Sequence, residues 1–311
     1  MEEYRATRYT DARSTYRMGE PMDKLDIAVK RLQAASEMSL YLYGKPLLLT
    51  YSGGKDSDAC IEVARIAGIP FEVQHSLTTA DAPETVRHVR DKFRALELEG
   101  IHCEITYPTY KGHRTSMWDL IPRKLMPPTR IVRYCCEVLK ESAGSDRWII
   151  TGVRWAESAS RKASRGIYEA NGGRKAHVIL NNDNDDLRRV TETCASKNKR
   201  TVNPIIDWAD DDVWVLLRDR HVQCNPLYCD FGRVGCVGCP VAGKSGRERE
   251  FLRWPKYKRL YLAAFDRMLK ERTARGKQTY GWQNAMDVYN WWMEYDVLPG
   301  QLNILEEDSY G

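Results

Sequence analysis

A short apolar run that opens into a pair of glycines limits the possible folds of this sequence more than any other stretch. Residues 47–51 are predicted to form a strand, Ser52 to Ser57 form a loop that contains both glycines, and apolar positions recur at helical spacing from Asp58 to Ala67. The first N–H groups of such a helix have no partner inside it and lie at the positive end of the helix dipole, so the loop favours an anion. Two serine hydroxyls and Lys55 add to that preference. We therefore expect a phosphate-bearing ligand here.

This loop also fits an ordinary strand-to-helix turn, in which Asp56 or Ser57 only caps the helix. It differs from the Walker phosphate loop, which places four residues between its first glycine and its Gly-Lys pair. The strand and helix patterns on either side favour the anion-binding interpretation over a simple turn.

The composition limits the compartment and the partners. The 311 residues, 42% of them hydrophobic, suffice for a large α/β domain with an appendage. A formal net charge of +5 suits a nucleotide or a nucleic acid but falls short of a dedicated nucleic-acid binder. Because no apolar run approaches the length of a membrane span and the start has no signal-peptide core, we expect a cytoplasmic protein without membrane contact. The nine cysteines then favour thiolate ligands or redox chemistry over disulfides.

Strand and helix patterns alternate along the first two thirds of the chain. Strands are predicted at 70–76, 101–106, 147–153, 177–180 and 202–206, and helices at 22–44, 82–98, from 207 and after 247. This alternation predicts an α/β fold with a doubly wound, mostly parallel sheet, followed by a cysteine-rich and helical C-terminal part. We expect a polar arm over 1–21, an α/β domain over 22–220 with an insertion at about 155–200, and the C-terminal part over 221–311. Tryptophans and tyrosines near the end are predicted to be core.

Ligands of such sheets lie beyond the carboxyl ends of the strands. This rule places His75 on the same rim as the loop, where it either contacts the ligand or is merely packed. After the strand at 147–153, Gly152 would let the backbone approach a ligand, and the forked guanidinium groups of Arg154 and Arg161 would reach phosphate or sulfate. Each arginine could instead form a surface ion pair with Glu157.

Four of the nine cysteines form two close pairs, Cys135 with Cys136 and Cys236 with Cys239. Folding could bring the pairs together as a four-sulfur site for zinc or an iron–sulfur cluster. Adjacent cysteines fit one tetrahedral zinc ion poorly, whereas each can bind a different iron of a cubane, which favours [4Fe–4S]. A local zinc ribbon that joins Cys224 and Cys229 to the second pair is the alternative. Cys60 and Cys103 are predicted to pack as small hydrophobic residues.

Taken together, these motifs resemble the phosphoadenosine phosphosulfate (PAPS) reductase family of the adenine nucleotide α-hydrolase superfamily. The resemblance includes the iron–sulfur members and the DndC-like proteins of DNA phosphorothioation, and it covers roughly residues 47–269. The motifs occur in the family's order: the Ser-Gly-Gly-x-Asp-Ser pyrophosphate loop, Arg133-Tyr134-Cys135-Cys136, Thr151-Gly152-Val153-Arg154 with Glu157, Ser158 and Arg161, Asn225-Pro226-Leu227-Tyr228, and Gly235-Cys236-Val237-Gly238-Cys239-Pro240.

The resemblance implies an enzyme that binds ATP, adenosine phosphosulfate (APS) or PAPS, with Mg²⁺, and couples pyrophosphate release to sulfur transfer. The nucleotide would be held by Ser52, Gly53, Gly54, Lys55, Asp56, Ser57, His75, Gly152 and Arg154. The catalytic residues would be Lys55, Asp56, Arg154 and Arg161. A [4Fe–4S] cluster, with zinc as the alternative, would be held by Cys135, Cys136, Cys236 and Cys239. The implied partners are a cysteine desulfurase or a thioredoxin-type reductant, a nucleic acid, and a second copy of the chain.

One departure from the family concerns the nucleophile. Assimilatory sulfonucleotide reductases carry a cysteine in a C-terminal Glu-Cys-Gly-x-His tail, whereas this sequence has no cysteine after Cys239. We therefore expect pyrophosphate release rather than sulfite release. A sulfonucleotide reductase that uses another thiol, such as Cys224 or Cys229, is one rival hypothesis. A nucleic-acid-binding module with a zinc ribbon is the other.

Overall fold

The computed structural model describes residues 23–140, 144, 146–172, 176–180 and 199–295, with 171, 172 and 176–180 described as backbone only. The arm predicted over 1–21, Cys194 and much of the insertion predicted at about 155–200 lie outside these residues. No helix in the described ranges is both long enough and apolar enough to span a membrane.

The α-helices are α1 (Lys24–Tyr43), α2 (Lys55–Ala67), α3 (Pro83–Leu98), α4 (Met117–Lys124), α5 (Tyr134–Leu139), α6 (Ala159–Ser164), α7 (Asp210–Asp219), α8 (Gly243–Arg253), α9 (Pro255–Ala274) and α10 (Ala285–Trp292). The strands are β1 (Leu47–Thr50), β2 (Phe71–Ser76), β3 (Cys103–Thr106), β4 (Thr109–Tyr110), β5 (His113–Arg114), β6 (Trp148–Ile150), β7 (Tyr168–Gly172), β8 (Ala176–Leu180) and β9 (Arg200–Val202). Short 3₁₀ turns span Trp155–Glu157, Pro226–Cys229 and Pro240–Ala242.

The main sheet has the strand order β3-β2-β1-β6-β9-β7-β8. The five strands from β3 to β9 run parallel, and β7 is antiparallel to both of its neighbours. From the central β1 the chain first winds outward to β2 and β3, and then returns to β6 and β9 on the other side. Right-handed crossovers in opposite directions place helices on both faces, so the doubly wound fold is confirmed. The loop after β1 lies at the reversal of strand order, where ligands of such sheets bind.

Local sequence signals account for the first helices. Asp23 caps α1 by accepting a hydrogen bond from the Leu25 amide, and Gly44 ends it in a left-handed conformation, which matches the predicted 22–44. Helix α2 begins at Lys55, three residues earlier than the predicted Asp58. The second half of the glycine loop is therefore the first turn of α2.

The sheet differs from the prediction beyond β6. The strand predicted at 202–206 ends at Val202, because Pro204 lacks the N–H that a continuing strand needs. The side-chain amide of the buried Asn203 donates to the carbonyl of Gly166 at 2.6 Å and fixes the chain at this point. The sequence did not predict β7, whose Tyr168 is buried in the sheet core. The short strand predicted at 177–180 is present as β8.

Two apolar cores support the molecule. The first is mainly aliphatic and lies between the sheet and helices α1, α2, α3 and α7. The second is rich in aromatic rings and joins α4 and α5 to α8, α9 and α10, with the Tyr261 and Trp292 ring centroids 4.6 Å apart. Trp282 and Trp292 are buried here and Trp291 packs against them half-buried, as predicted, whereas the prediction is wrong for Tyr280 and Tyr295, which are exposed at the surface. Both cysteine-bearing segments pack against this second core.

Candidate functional site

Two adjoining cavities lie at the carboxyl edge of the parallel strands. The strand-end cavity, of about 530 Å³, is lined by the ends of β1, β2, β6 and β9 and includes His75. The cysteine-lined cavity, of about 770 Å³, lies between the glycine loop and the cysteine-bearing segments. The two cavities share Thr50, Ser52, Thr78, Lys140 and Val153. Together they offer one continuous site for an elongated ligand that reaches past the loop.

Internal hydrogen bonds shape the glycine loop. The Ser57 hydroxyl donates to the carbonyl of Gly54 at 2.7 Å and lies 3.2 Å from the Ser52 hydroxyl. Gly53 has a φ of +76°, and a Cβ there would lie 3.0 Å from a methyl group of Thr85. A side chain at this position would therefore be both strained and crowded.

A distant segment clamps the loop from outside. The Asn225 side-chain amide donates to the carbonyl of Gly53 at 3.0 Å, and the hydroxyl of Tyr228 accepts the Lys55 amide at 3.0 Å. The Tyr228 ring in turn meets Trp214 edge-on at 5.2 Å. The sequence indicates the Asn-Pro-Leu-Tyr motif only through the family resemblance. Its contacts with the loop are visible only in the tertiary structure.

Two cations and two carboxylates form an ion network at the start of α2. Lys55 Nζ lies 2.8 Å from Asp210 Oδ1 and 3.1 Å from Asp56 Oδ1. Arg154 contacts the same two oxygens, at 2.6 Å and 2.7 Å respectively. The Lys55 and Arg154 side chains are only 8% and 3% exposed, whereas that of Asp210 is 61% exposed.

Asp210 was missed as a site residue, because the sequence of three aspartates at 210–212 predicts helix caps. Asp212 does accept the Ala209 amide at 2.7 Å, as a cap should. Asp210 instead faces the loop, and its hydrogen bond with Lys55 helps to hold the pKa of its carboxyl below the ordinary value.

Gly152 and Arg161 also line the cysteine-lined cavity. A Cβ on Gly152 would lie 2.9 Å from the backbone of Asp56, so the glycine lets the segment after β6 pack directly on the first turn of α2. Arg161 forms an ion pair with Glu157, and its side chain is 44% exposed. Burial lowers the pKa of Arg161, and the positive charges of Arg165 and Arg133 lower it further. Both sequence interpretations of Arg161 therefore have a structural basis.

His75 occupies the rim position that the sequence predicted. Its Nδ1 lies 2.8 Å from the carbonyl oxygen of Tyr51, which can only accept, so Nδ1 carries the proton. Within the described residues its Nε2 has no hydrogen-bond partner and is shielded from solvent. The ring lines the strand-end cavity, and its contact with a ligand stays a prediction.

The cysteine pairs at 135–136 and 236–239 come together as one wall of the cysteine-lined cavity, although about a hundred residues separate them. A hydrogen bond from Cys135, with a second from Arg133 at 3.3 Å, holds the pKa of Cys136 below the ordinary value of a thiol. Cys236 Sγ lies 3.4 Å from the Thr78 hydroxyl. The negative charge of a Cys236 thiolate raises the pKa of Lys140.

The other described cysteines lie elsewhere. Cys224 lies behind the loop, where burial and the nearby Asp58 raise the pKa of its thiol, and Cys229 is exposed. Neither lines the cavity that Cys236 and Cys239 share. In the described ranges no three His, Cys, Asp or Glu side chains are arranged around a single metal ion. Cys60 is fully buried, as predicted for a packing role.

A family model for the phosphoadenosine phosphosulfate reductase domain matches residues 46–242. An adenosine 5′-phosphosulfate reductase of Neisseria meningitidis is 28% identical over 170 residues, which is 52% of this chain and 54% of the relative. The corresponding enzyme of Oceanobacillus iheyensis is 22% identical over 263 residues, 81% of this chain and 93% of the relative. The chain spans between 23% and 54% of the length of the first four curated relatives that it matches.

Solved structures show only a distant likeness. A PAPS reductase from Candida auris in a phosphate complex aligns with a TM-score of 0.40 and 15% identity, over 68% of this chain and 93% of that one. The U34-tRNA thiolase NcsA from Methanococcus maripaludis with its [4Fe–4S] cluster aligns with a TM-score of 0.36 and 11% identity, over 88% and 90% of the two chains. The family model, by contrast, spans the loop, the clamp and both cysteine pairs. The chain belongs to the phosphoadenosine phosphosulfate reductase family.

Proposed function

We propose that this chain is a family enzyme that binds an adenine nucleotide on the glycine loop and couples pyrophosphate release from it to sulfur transfer. One observation carries the proposal: a cation-bearing loop and four cysteine side chains line the same cavity. Phosphate chemistry and sulfur chemistry could therefore act on the same bound molecule.

In this proposal, the residues in and around the loop have separate roles. The N–H groups at the start of α2, together with Lys55 and Arg154, would hold the phosphates and stabilise the charge of departing pyrophosphate. Their positions agree with that role, since both cations are buried and already arranged around carboxylate oxygens. Asp56 would offer an oxygen ligand to Mg²⁺, which would neutralise further phosphate charge. Ser52 and Ser57 would shape the loop around the ligand.

The reaction would take place in two displacements. An oxygen of the acceptor, for which we propose a nucleic acid, attacks the α-phosphate and breaks its bond to pyrophosphate. The outer sulfur of a persulfide on a partner, such as a cysteine desulfurase, then attacks the acceptor, and adenylate leaves. A thiol of the partner or of a thioredoxin-type reductant cleaves the resulting disulfide, so that the sulfur stays on the acceptor. Arg161, which also lines the cavity, would bind the adenylate phosphate between the two steps.

The thiol wall fits a [4Fe–4S] cluster better than a single zinc ion. Zinc needs its ligands to converge on one point, which adjacent residues such as Cys135 and Cys136 do poorly, whereas a cubane takes one thiolate per iron. Metal binding requires the thiolate form, which the hydrogen bonds from Cys135 and Arg133 favour at Cys136. Cys135, Cys136, Cys236 and Cys239 would hold the cluster, which would supply a redox-active iron centre.

Sulfonucleotide reduction is the second candidate, because curated relatives carry the name adenosine 5′-phosphosulfate reductase. An anaerobic assay with purified, metal-loaded protein separates the two reactions. We expect pyrophosphate from ATP when an acceptor oligonucleotide is present, and no sulfite from APS or PAPS with a thioredoxin-type reductant. The Lys55→Ala variant is the loop-impaired control. Steady sulfite release would overturn the proposal, and its loss in Cys224→Ser or Cys229→Ser would identify the thiol.

A further inference from the structure

The positive charge of this protein is concentrated in one part of the chain. Residues 241–277, which include α8 and α9, contain 12 Lys or Arg and 4 Asp or Glu, whereas the whole chain contains 48 and 43. This stretch therefore carries a net charge of +8, and the remainder carries −3. The net charge of +5 for the whole chain is thus the sum of a strongly basic segment and a mildly acidic remainder.

Only part of that charge is used inside the fold. Arg247 and Arg272 are buried and donate to backbone carbonyls, and four exposed residues form ion pairs with carboxylates: Arg253, Arg267, Lys270 and Arg275. Within the described residues, Arg249, Lys256 and Arg259 are exposed and have no carboxylate in ion-pair range. These three residues, together with Arg253, define what we name the basic face of α8 and α9.

The basic face is connected to the cysteine-lined cavity. Helix α8 begins at Gly243, four residues after the cavity residue Cys239. Arg249 lies over the ring of Phe231 at 5.5 Å, and that ring stacks on Trp254 at 5.3 Å with an 18° angle between planes. The residues that follow Phe231, from Gly232 to Gly235, line the cavity and include the exposed Arg233. Positive charge thus continues from the basic face to the site.

The side chains of the basic face indicate which kind of negatively charged partner it would bind. A membrane-binding helix presents a row of large apolar side chains beside its cations, and a protein interface usually has an apolar centre. Both helices are described in full, and Leu252 is their only exposed large apolar side chain, so neither helix presents an apolar row. Arg249 and Arg253 are one turn apart on α8, and Lys256 and Arg259 are one turn apart at the start of α9. Positive charge that repeats over successive turns suits the repeated phosphates of a polymer rather than one headgroup or metabolite.

We propose that the basic face of α8 and α9 binds the phosphate backbone of a nucleic acid whose neighbouring residues extend toward the cysteine-lined cavity. This inference rests on the proposed function only in taking the bound strand to be the acceptor. Binding itself is independent of the nucleotide chemistry, because none of Arg249, Lys256 and Arg259 lines either cavity.

Fluorescence anisotropy with a labelled 20-nucleotide single strand and its duplex, measured over a series of salt concentrations, tests the proposal. The triple variant Arg249→Glu, Lys256→Glu, Arg259→Glu should bind the better of the two probes at least tenfold more weakly than wild type. The slope of the logarithm of its binding constant against the logarithm of the salt concentration should be less steep by about 2, as expected for about three lost phosphate contacts to a single strand. Circular dichroism and ATP binding should stay unchanged.

Two control variants separate this result from other effects. Lys45→Glu makes one such charge reversal at an exposed residue before β1, at the edge of the sheet opposite the cavities, and should leave oligonucleotide binding within twofold of wild type. Lys55→Ala should bind the oligonucleotide normally even where it loses ATP, so the two proposals can fail separately. Equal binding by wild type and the triple variant would overturn the proposal. So would preferential binding of phosphatidylserine vesicles or polyglutamate over both oligonucleotides.

Discussion

The two walls of the cysteine-lined cavity are built in different ways. The loop wall is six consecutive residues, Ser52 to Ser57, at the junction of one strand and one helix. The cysteine wall combines two short segments from distant parts of the sequence, and both rest on the aromatic core. The first wall depends mainly on local backbone geometry, whereas the second depends on how the C-terminal helices pack. Substitutions in the two walls should therefore have different consequences.

Gly238 shows how closely the cysteine wall depends on that core. It lies between the two cysteines of the second pair, has a φ of +74°, and a Cβ there would lie 2.7 Å from both Phe251 and Tyr261. Its amide also donates to the carboxylate of Glu250 at 2.6 Å. The turn that aims Cys236 and Cys239 into the cavity is thus held by two rings and a buried acid.

The largest expected effect is loss of the proposed cluster. Either Cys135→Ser or Cys239→Ser should abolish the broad visible absorbance of anaerobically reconstituted protein, because each removes one of four thiolate ligands. Cys60→Ser and Cys224→Ser are matched controls, since neither residue lines the cavity. Normal absorbance in Cys135→Ser, with loss in Cys224→Ser, would favour the local ribbon instead.

A glycine exchange then measures the coupling between the cysteine wall and the aromatic core. Gly238→Ala should lower the free energy of unfolding by about 3 kcal/mol, because left-handed strain is added to overpacking against two rings. Gly44→Ala is the matched control, because its φ of +62° is similar and a Cβ there meets nothing within 4 Å, so about 1 kcal/mol is expected. Urea unfolding of both variants gives the difference. Equal losses would mean that the core does not restrain the turn.

Removal of the loop lysine should affect the ligand more than the fold. Lys55→Ala should weaken ATP binding by about 30-fold, roughly 2 kcal/mol, since it leaves two carboxylates without one of their two cations. The melting temperature should change by only a few degrees. Lys24→Ala is a suitable control, because Lys24 also pairs with an aspartate of α7, at 2.5 Å from Asp212, but lines neither cavity. Isothermal titration calorimetry measures the affinity, and unchanged binding would reduce the loop to a simple turn.

The smallest expected effect has the opposite sign. Asp210→Asn should strengthen ATP binding in Mg²⁺-free buffer by about tenfold, roughly 1.4 kcal/mol, because it removes one of the two carboxylates that neutralise Lys55 and Arg154. Asp211→Asn, in the same turn and exposed, should change nothing. Weaker binding in the Asp210 variant would mean that this carboxylate positions the cations instead of competing with phosphate.

Local signals in the sequence were sufficient for much of the fold. The Asp23 cap and the Gly44 stop defined α1, and the alternation of strands and helices identified the doubly wound sheet. The same local patterns failed where a distant partner decided the outcome. Strand β9 ends early where the Asn203 side chain binds Gly166, and β7 exists because it pairs with β9.

The features of the site also separate into those set by neighbouring residues and those set by distant contacts. The sequence by itself determined the glycine loop and the two cysteine pairs, because a tight turn before a helix and a Cys-x-x-Cys spacing are properties of neighbouring residues. Only the tertiary structure decided that Asp210 joins the loop's ion network, that Tyr228 and Asn225 clamp the loop, and that the cysteine pairs meet. The first two outcomes depend on the strand order, which brings distant segments of the sequence to one edge of the sheet, and the third depends on the packing of the C-terminal helices. No local pattern encodes either arrangement.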